Sequence, residues 1–378
     1  MKYTGFKEWP FREGFEEERE SHWYTTIRPH TESDAYDLLR LSHPCWANFN
    51  EPIFRGHADS NWDLIPSAWR NPGLSFYPRQ REFFEDRYGS KTGRHLEIVG
   101  EGAPKHLYQQ FPASNFSEAG VQELIEFSAV KYFHTLCDEL GMTIPELTIG
   151  IENQSYPIPT GLGIGWYTGD GLQHWEPTDI FGLAQHHGVP TRLLDFTKDP
   201  KKALLFALKD IINSDDPPAE FCVWAFKDLY MLNLALSFYR PNGHKQVKIE
   251  RCTFSSHLNK FLHSQSGLFL FVKGASLWKM EHGSYPSLNG ILDWFFPRFD
   301  IERGPRNSVK FYNGHNGENE FQHEGARVYC PLAIKICMPF SMASKLYEFL
   351  VADFLSDIHL MPTFDNVASY VRRKDQFI

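Results

Sequence analysis

Ala184-Gln185-His186-His187-Gly188-Val189-Pro190-Thr191-Arg192-Leu193-Leu194-Asp195-Phe196-Thr197 is the stretch on which the reading of this chain turns. It is dense in hydrogen-bonding side chains, punctuated by Gly188 and Pro190, and flanked by two helical patterns. Ahead of it, Asp179 to His186 predicts a short helix. Behind it, Thr197-Lys198-Asp199-Pro200 puts a hydroxyl before a proline-started helix that runs to Leu208. The segment between is expected to be a rigid polar loop, the kind of element on which sites are built. Asp195 can orient Arg192 or a histidine there, or cap the next helix, and Thr197 has the same capping alternative. His186 and His187 are neighbours, so on a regular element they point apart; a histidine bonded to backbone is favoured over a metal ligand.

Toward the N-terminus, residues 1–30 read as an arm leading into a short strand at Tyr24-Thr25-Thr26-Ile27, and Thr31 to Asp34 announces a helix that begins near Ser33 and stops before Pro44. Ile53-Phe54-Arg55-Gly56 reads as a strand end running into a turn, with Gly56 letting the backbone leave the strand. An arginine there can aim its planar fork into a cleft, which suits a phosphate or a carboxylate. Val121 to Leu140 has apolar residues at helical spacing and a stop at Gly141. Toward the C-terminus, Phe221–Phe226, Gly267–Val272 and Leu332–Ile336 read as strands, and Met342 to Leu355 as a terminal amphipathic helix. His263 to Phe269 is a polar stretch at the mouth of an apolar strand and carries Gln265. Helices and strands alternate irregularly, which predicts an α+β domain with a mostly antiparallel sheet.

Composition sets outer limits. A chain of 378 residues with 42% hydrophobic and 22% charged residues has the balance of a folded protein. The 38 basic and 47 acidic side chains leave −9, which argues against a sequence-blind grip on nucleic acid over the whole surface while allowing a local basic pocket. No apolar run is long enough to span a bilayer, and Met1 to Glu20 is charged without a leader-like apolar region, so neither secretion nor membrane insertion is expected. Six cysteines without a CxxC pair read as reduced, cytoplasmic thiols. The commonest phosphate-loop, dinucleotide, zincin and hydrolase motifs are missing from the sequence.

Phe54-Arg55-Gly56, then Trp62, Leu64, Pro66, Ser67 and Arg70, and then the long Ala184–Thr197 motif with Ala203, Phe206 and Ala207, resemble the FRG domain, named for its Phe-Arg-Gly motif. Gln265-x-Gly267-x-Phe269 and the ending from Ile336 to Tyr370 are similar to the rest of that domain. The resemblance implies a domain over 31–378 with an insertion at about 71–118.

The three polar clusters also look like the layout of ADP-ribosyltransferases, with an arginine on one strand, a hydroxyl-bearing strand leading into a helix, and a Gln/Glu-x-Glu on a later strand. This resemblance implies a mono-ADP-ribosyltransferase with NAD as substrate, a mostly antiparallel sheet core and flanking helices. Catalytic residues would be Arg55, Thr197, Gln265 and His186, with Phe54, Arg55, Gly56, Gln185, Thr191, Arg192 and Asp195 binding NAD. No resident metal is expected. The acceptor would be a macromolecule, with RNA favoured and DNA or protein as alternatives, and the role that of a toxin or antiphage effector with a neutralising antitoxin. Gly267 departs from the pattern, standing where a catalytic Glu is expected; Glu318, Glu320, Glu123 and Glu126 are candidates to supply the carboxylate. The alternatives are an inactive nucleotide- or partner-binding FRG module and, further off, a metal-dependent nuclease on His186, His187 and Asp195.

Overall fold

The computed structural model describes residues 15–18, 23–49, 51–70, 113–145, 167–168, 171–172, 178–212, 214–227, 248–255, 259–295, 299–303, 308–313, 317–322, 332–360 and 362–374. In chain order the elements begin with β1 (Phe15–Glu18), β2 (Tyr24–Pro29), α1 (Glu32–Leu38), β3 (Ile53–His57), α2 (Ala113–Glu139) and the two-residue strands β4 (Tyr167–Thr168) and β5 (Gly171–Leu172). They continue with α3 (Asp179–His186), β6 (Leu193–Thr197), α4 (Pro200–Leu208), β7 (Glu220–Phe226), β8 (Lys248–Cys252), α5 (Lys260–Ser264) and β9 (Gly267–Lys273). The chain goes on through α6 (Ala275–His282), α7 (Leu288–Phe295), β10 (Phe299–Arg303), β11 (Ser308–Asn313), β12 (Gly317–Gln322) and β13 (Ala333–Pro339) to α8 (Ala343–Ala352), α9 (Asp357–Leu360) and α10 (Phe364–Lys374). Residues 71–112 of the expected insertion lie outside the described residues, and its last positions open α2.

Eight strands form one sheet in the order β1-β2-β13-β7-β3-β6-β9-β8, with every neighbouring pair antiparallel except β13 and β2. The expected mixed fold with a mostly antiparallel sheet and flanking helices is therefore what the chain adopts. Cross-strand partners share a face. The register aligns Ile27, Ile336, Val223 and Gly56 on one face, where Leu38 of α1, Leu204 and Leu208 of α4, and Leu346 and Leu350 of α8 cover them. The next row, Thr26, Lys335, Trp224 and Arg55, belongs to the opposite face, which packs on Trp278 of α6, Ile291 of α7 and Trp69. A third apolar cluster joins α3 to β6 and β9 through Phe181, Leu193 and Phe271. Among the described residues no helix is long and apolar enough to cross a membrane.

Four local expectations are corrected. Leu193–Thr197, expected within a loop from its composition though matched to a strand over Asp195–Thr197 by the transferase resemblance, is an inner strand, because Leu193, Leu194 and Phe196 bury against both neighbouring layers. The cap of α4 is Asp199, whose carboxylate accepts from the Lys201 and Lys202 amides ahead of Pro200; neither Asp195 nor Thr197 caps it. Gly56 sits inside β3 with no positive φ, and its backbone lies so close to α4 that an added Cβ would stand 1.9 Å from the Ala203 carbonyl oxygen. The helix expected over Met342–Leu355 is not the last element: Phe354, at φ 58°, ends that turn and two further helices follow.

Candidate active site

Strands β3 and β6 are sheet neighbours, yet only Phe54 and Thr197 pair between them. Beyond that bridge the two backbones part, over Arg55 to His57 on one side and Leu194 to Phe196 on the other. Arg55 crosses the opening: its Nη1 donates to the Asp195 carbonyl oxygen at 2.6 Å and lies 3.7 Å from Asp195 Oδ2. A side chain thereby satisfies a strand carbonyl that the parted backbone does not.

The opening widens into a cleft of about 320 Å³. Phe54, Arg55, Gly56, Gln185, His186, Asp195, Thr197 and Gln265, all singled out from sequence, line it together. Arg70, His57, Lys209 and Asp210 line it as well. Three cations thus face two carboxylates, an excess that suits a phosphate-bearing ligand. Burial lowers the Arg55 pKa to about 10, with Asp195 opposing the shift and Arg70 adding to it, so Arg55 stays cationic at neutral pH. Burial lowers Arg70 too, again against Asp195, and Arg70 Nε is held by the Ile65 carbonyl at 3.1 Å. Asp195 keeps about half of its side chain exposed, so its carboxylate is available to a ligand.

His57 lies deeper, 3% exposed, and its Nε2 accepts from Arg55 Nε at 2.9 Å. Burial first, and then the positive charge of Arg55, hold its pKa well below 6.5, so the ring is neutral. Its position two residues beyond Arg55 on the same face of β3 was the one sequence sign of this role.

The remaining predicted residues are fixed in other ways. Thr197 is buried, and its hydroxyl donates to the Gln265 carbonyl at 2.6 Å while accepting from the Asp199 amide at 3.0 Å, tying the end of β6 to the start of α4. Gln265 Nε2 donates to the Leu360 carbonyl at 3.2 Å. Gln185 Oε1 accepts from the Thr191 hydroxyl, and Thr191 lies outside the cleft lining, anchored to Ser67 and Ala68.

Arg192 is outside it too, with Nε 2.6 Å from Glu126 Oε2 and both side chains almost fully buried. Trp69 Nε1 and Gln122 Nε2 also donate to Glu126, each at 3.0 Å. Arg192 and Glu126 therefore form a structural pair, which removes Glu126 from the candidates for the missing carboxylate.

The side chains of Glu123, Glu318 and Glu320 lie outside the described residues. At Gly267, where the transferase pattern has Glu, a Cβ would stand 2.8 Å from Leu262 Cδ1, the end of a flexible side chain, and 3.3 Å from the Leu262 carbonyl oxygen. His187 is exposed and stacks on Phe133, so the two adjacent histidines do diverge. His186 is bonded to a side chain, Asn259, rather than to backbone. Among the described residues no three His, Cys, Asp or Glu side chains are grouped to hold a metal ion.

No curated protein and no solved structure matches the chain. The family model of the FRG domain does match, over residues 168–216, a span that holds α3, β6 and α4, all of which contribute residues to the cleft lining.

Proposed function

We propose that the cleft binds NAD and that the protein is a mono-ADP-ribosyltransferase. The observation that carries this reading is the opening of the sheet between β3 and β6, bridged by Arg55 beside Asp195, Arg70 and His186. The arginine strand β3, the strand β6 that leads into α4, and the strand β9 that follows Gln265 are consecutive in the sheet, an adjacency that supports the transferase-like reading. A cleft of about 320 Å³ is at the small end of ligand sites, which run from about 300 to 1,000 Å³, and would take one mononucleotide half of NAD with the rest outside.

Arg55 and Arg70 would hold the pyrophosphate, the planar fork of Arg55 already fixed by Asp195 and His57. Asp195 would take the place of the absent third-motif Glu. It is a half-exposed carboxylate that can face the positive charge developing on the ribose as the bond to nicotinamide breaks. A fixed charge aimed at developing charge contributes about 10²–10³ in rate. Thr197 and Gln265 would support the site through the bond between them rather than by touching NAD.

The acceptor is proposed to be a macromolecule, RNA by preference, and the role that of a cytoplasmic toxin or antiphage effector held in check by an antitoxin. A second reading, a nucleotide-binding module without turnover, draws on Gly267 and on the tethering of Gln265 to Leu360. Incubation with labelled NAD together with RNA, single-stranded DNA or lysate separates the two. Transfer that disappears in Arg55→Ala supports the enzyme; retained NAD binding with neither transfer nor nicotinamide release supports the module.

A further inference from the structure

From the hydrogen bonds around Asn259 we infer that this residue fixes the tautomer of His186, making His186 Nε2 the proton acceptor of the cleft for a neutral O–H nucleophile. The inference rests on the transferase reading for its chemistry, but the geometry stands by itself. Asn259 is 2% exposed and caps α5: its Oδ1 accepts from the Leu262 amide at 3.1 Å. The atom facing that amide must be the oxygen, since the side-chain amine cannot accept. The same Oδ1 lies 2.9 Å from His186 Nδ1, so that ring nitrogen must be the donor. The neutral imidazole therefore carries its proton on Nδ1 and leaves a lone pair on Nε2.

His186 closes α3 and lines the cleft, its ring packed by Phe269 at 5.3 Å and edge-on to Phe261 at 6.4 Å. Among the described residues Nε2 makes no hydrogen bond. A base oriented through its far nitrogen by a fixed oxygen is the arrangement used by oriented catalytic histidines, here with an amide in the orienting place.

The acceptor oxygen forms a bond to ribose C1′, its proton passes to His186 Nε2, and the C1′–N bond breaks with its electron pair leaving on nicotinamide. The cation excess around Arg55, Arg70 and Lys209 disfavours a cationic acceptor such as an arginine or lysine side chain and favours a neutral hydroxyl, or water in its absence. Asn259 is a positioning residue, because it touches only the far side of the ring.

The test uses the full chain with ¹⁵N-labelled histidine, His186 being assigned by comparison with His186→Gln. Nitrogen shifts should report a ring protonated on Nδ1 in the wild type and in Asn259→Asp, which keeps the oxygen for both donors. Asn259→Ser keeps a capping hydroxyl but is too short to reach the ring. Its helix cap should hold, its Nδ1–H preference should disappear, and kcat for ADP-ribose transfer to oxygen or for hydrolysis should fall about 10–100-fold at unchanged KM for NAD, with Asn259→Asp recovering most of the rate. A wild-type ring protonated on Nε2, or wild-type kcat in Asn259→Ser, would overturn the inference. Wild-type protein that leaves NAD intact would refute the transferase reading instead, and the nitrogen shifts would still decide the part played by Asn259.

Discussion

Replacing Gly56 with alanine tests the architecture that positions Arg55. The added Cβ would lie 1.9 Å from the Ala203 carbonyl oxygen, 2.8 Å from the Ala207 amide nitrogen and 2.9 Å from the Ala203 carbonyl carbon. All three are backbone atoms of α4, so no side-chain rotation relieves the overlap, and α4 must retreat by roughly 1.5 Å to restore an ordinary contact of about 3.5 Å. α4 has no slack to retreat into, since Ala203, Leu204, Leu205, Ala207 and Leu208 are all fully buried. Overpacking of this kind costs about 1–3 kcal/mol, and two rigid backbones in collision belong at the upper end. The stiffer unfolded chain returns only about 0.4–1 kcal/mol, leaving a net loss of about 2–3 kcal/mol.

Urea unfolding followed by tryptophan fluorescence reads this loss directly, Trp224 lying across from Arg55 in the sheet. Gly188→Ala is the matched control. Gly188 has φ 86° with nothing within 4 Å of its Cβ position, so it should lose only the conformational cost of about 1–2 kcal/mol. A Gly56→Ala protein within about 0.5 kcal/mol of wild type would refute the close approach of β3 to α4.

Three further outcomes follow from the site. Glu126→Ala should leave Arg192 buried without its carboxylate and cost about 3–5 kcal/mol by urea unfolding, while nicotinamide release per folded molecule stays at the wild-type rate; a loss of catalysis at full stability would return Glu126 to the candidates. Because His57 is held neutral in the fold, the unfolded chain takes up a proton that the native state refuses as pH falls below about 6.5. Its contribution is complete above that pH and declines below it by up to about 1.4 kcal/mol per pH unit. The stability of His57→Gln across pH 7 to 5 should be flatter than wild type by that slope, and equal slopes would place His57 in solvent. Asp195→Asn should slow nicotinamide release by about 10²–10³ while NAD still binds, and an unchanged rate would remove Asp195 from the chemistry.

Much of this fold can be read along the chain, and the failures have local physical causes. The helix Asp179–His186 and the strands at Phe221–Phe226 and Gly267–Val272 emerge within a residue or so of their observed bounds, because their apolar patterns are unbroken. Strand β6 follows Gly188 and Pro190 and carries Asp195 at the parted edge, so its composition reads as a loop while it is buried like a strand, and only the transferase resemblance pointed to a strand over Asp195–Thr197. Gly56 looks like a turn glycine until α4 arrives from about 150 residues away to press on it. Arg192 belongs to a motif full of cleft residues, and only the tertiary fold reveals Glu126, 66 positions earlier, as its partner. Asn259 gives no sign of function in sequence beyond that of an ordinary helix cap; its second bond, to His186, spans 73 positions.

The opening between β3 and β6 is where NAD is proposed to be cleaved. Nicotinamide release from labelled NAD, measured on wild type and on Arg55→Ala with NAD binding measured in parallel, tests it most directly. The wild type should release nicotinamide and Arg55→Ala should lose both binding and release, because the guanidinium that spans the opening is also the proposed phosphate ligand. Release that persists in Arg55→Ala would put the chemistry elsewhere in the chain, and NAD that binds the wild type without ever losing nicotinamide would make the cleft a binding site alone.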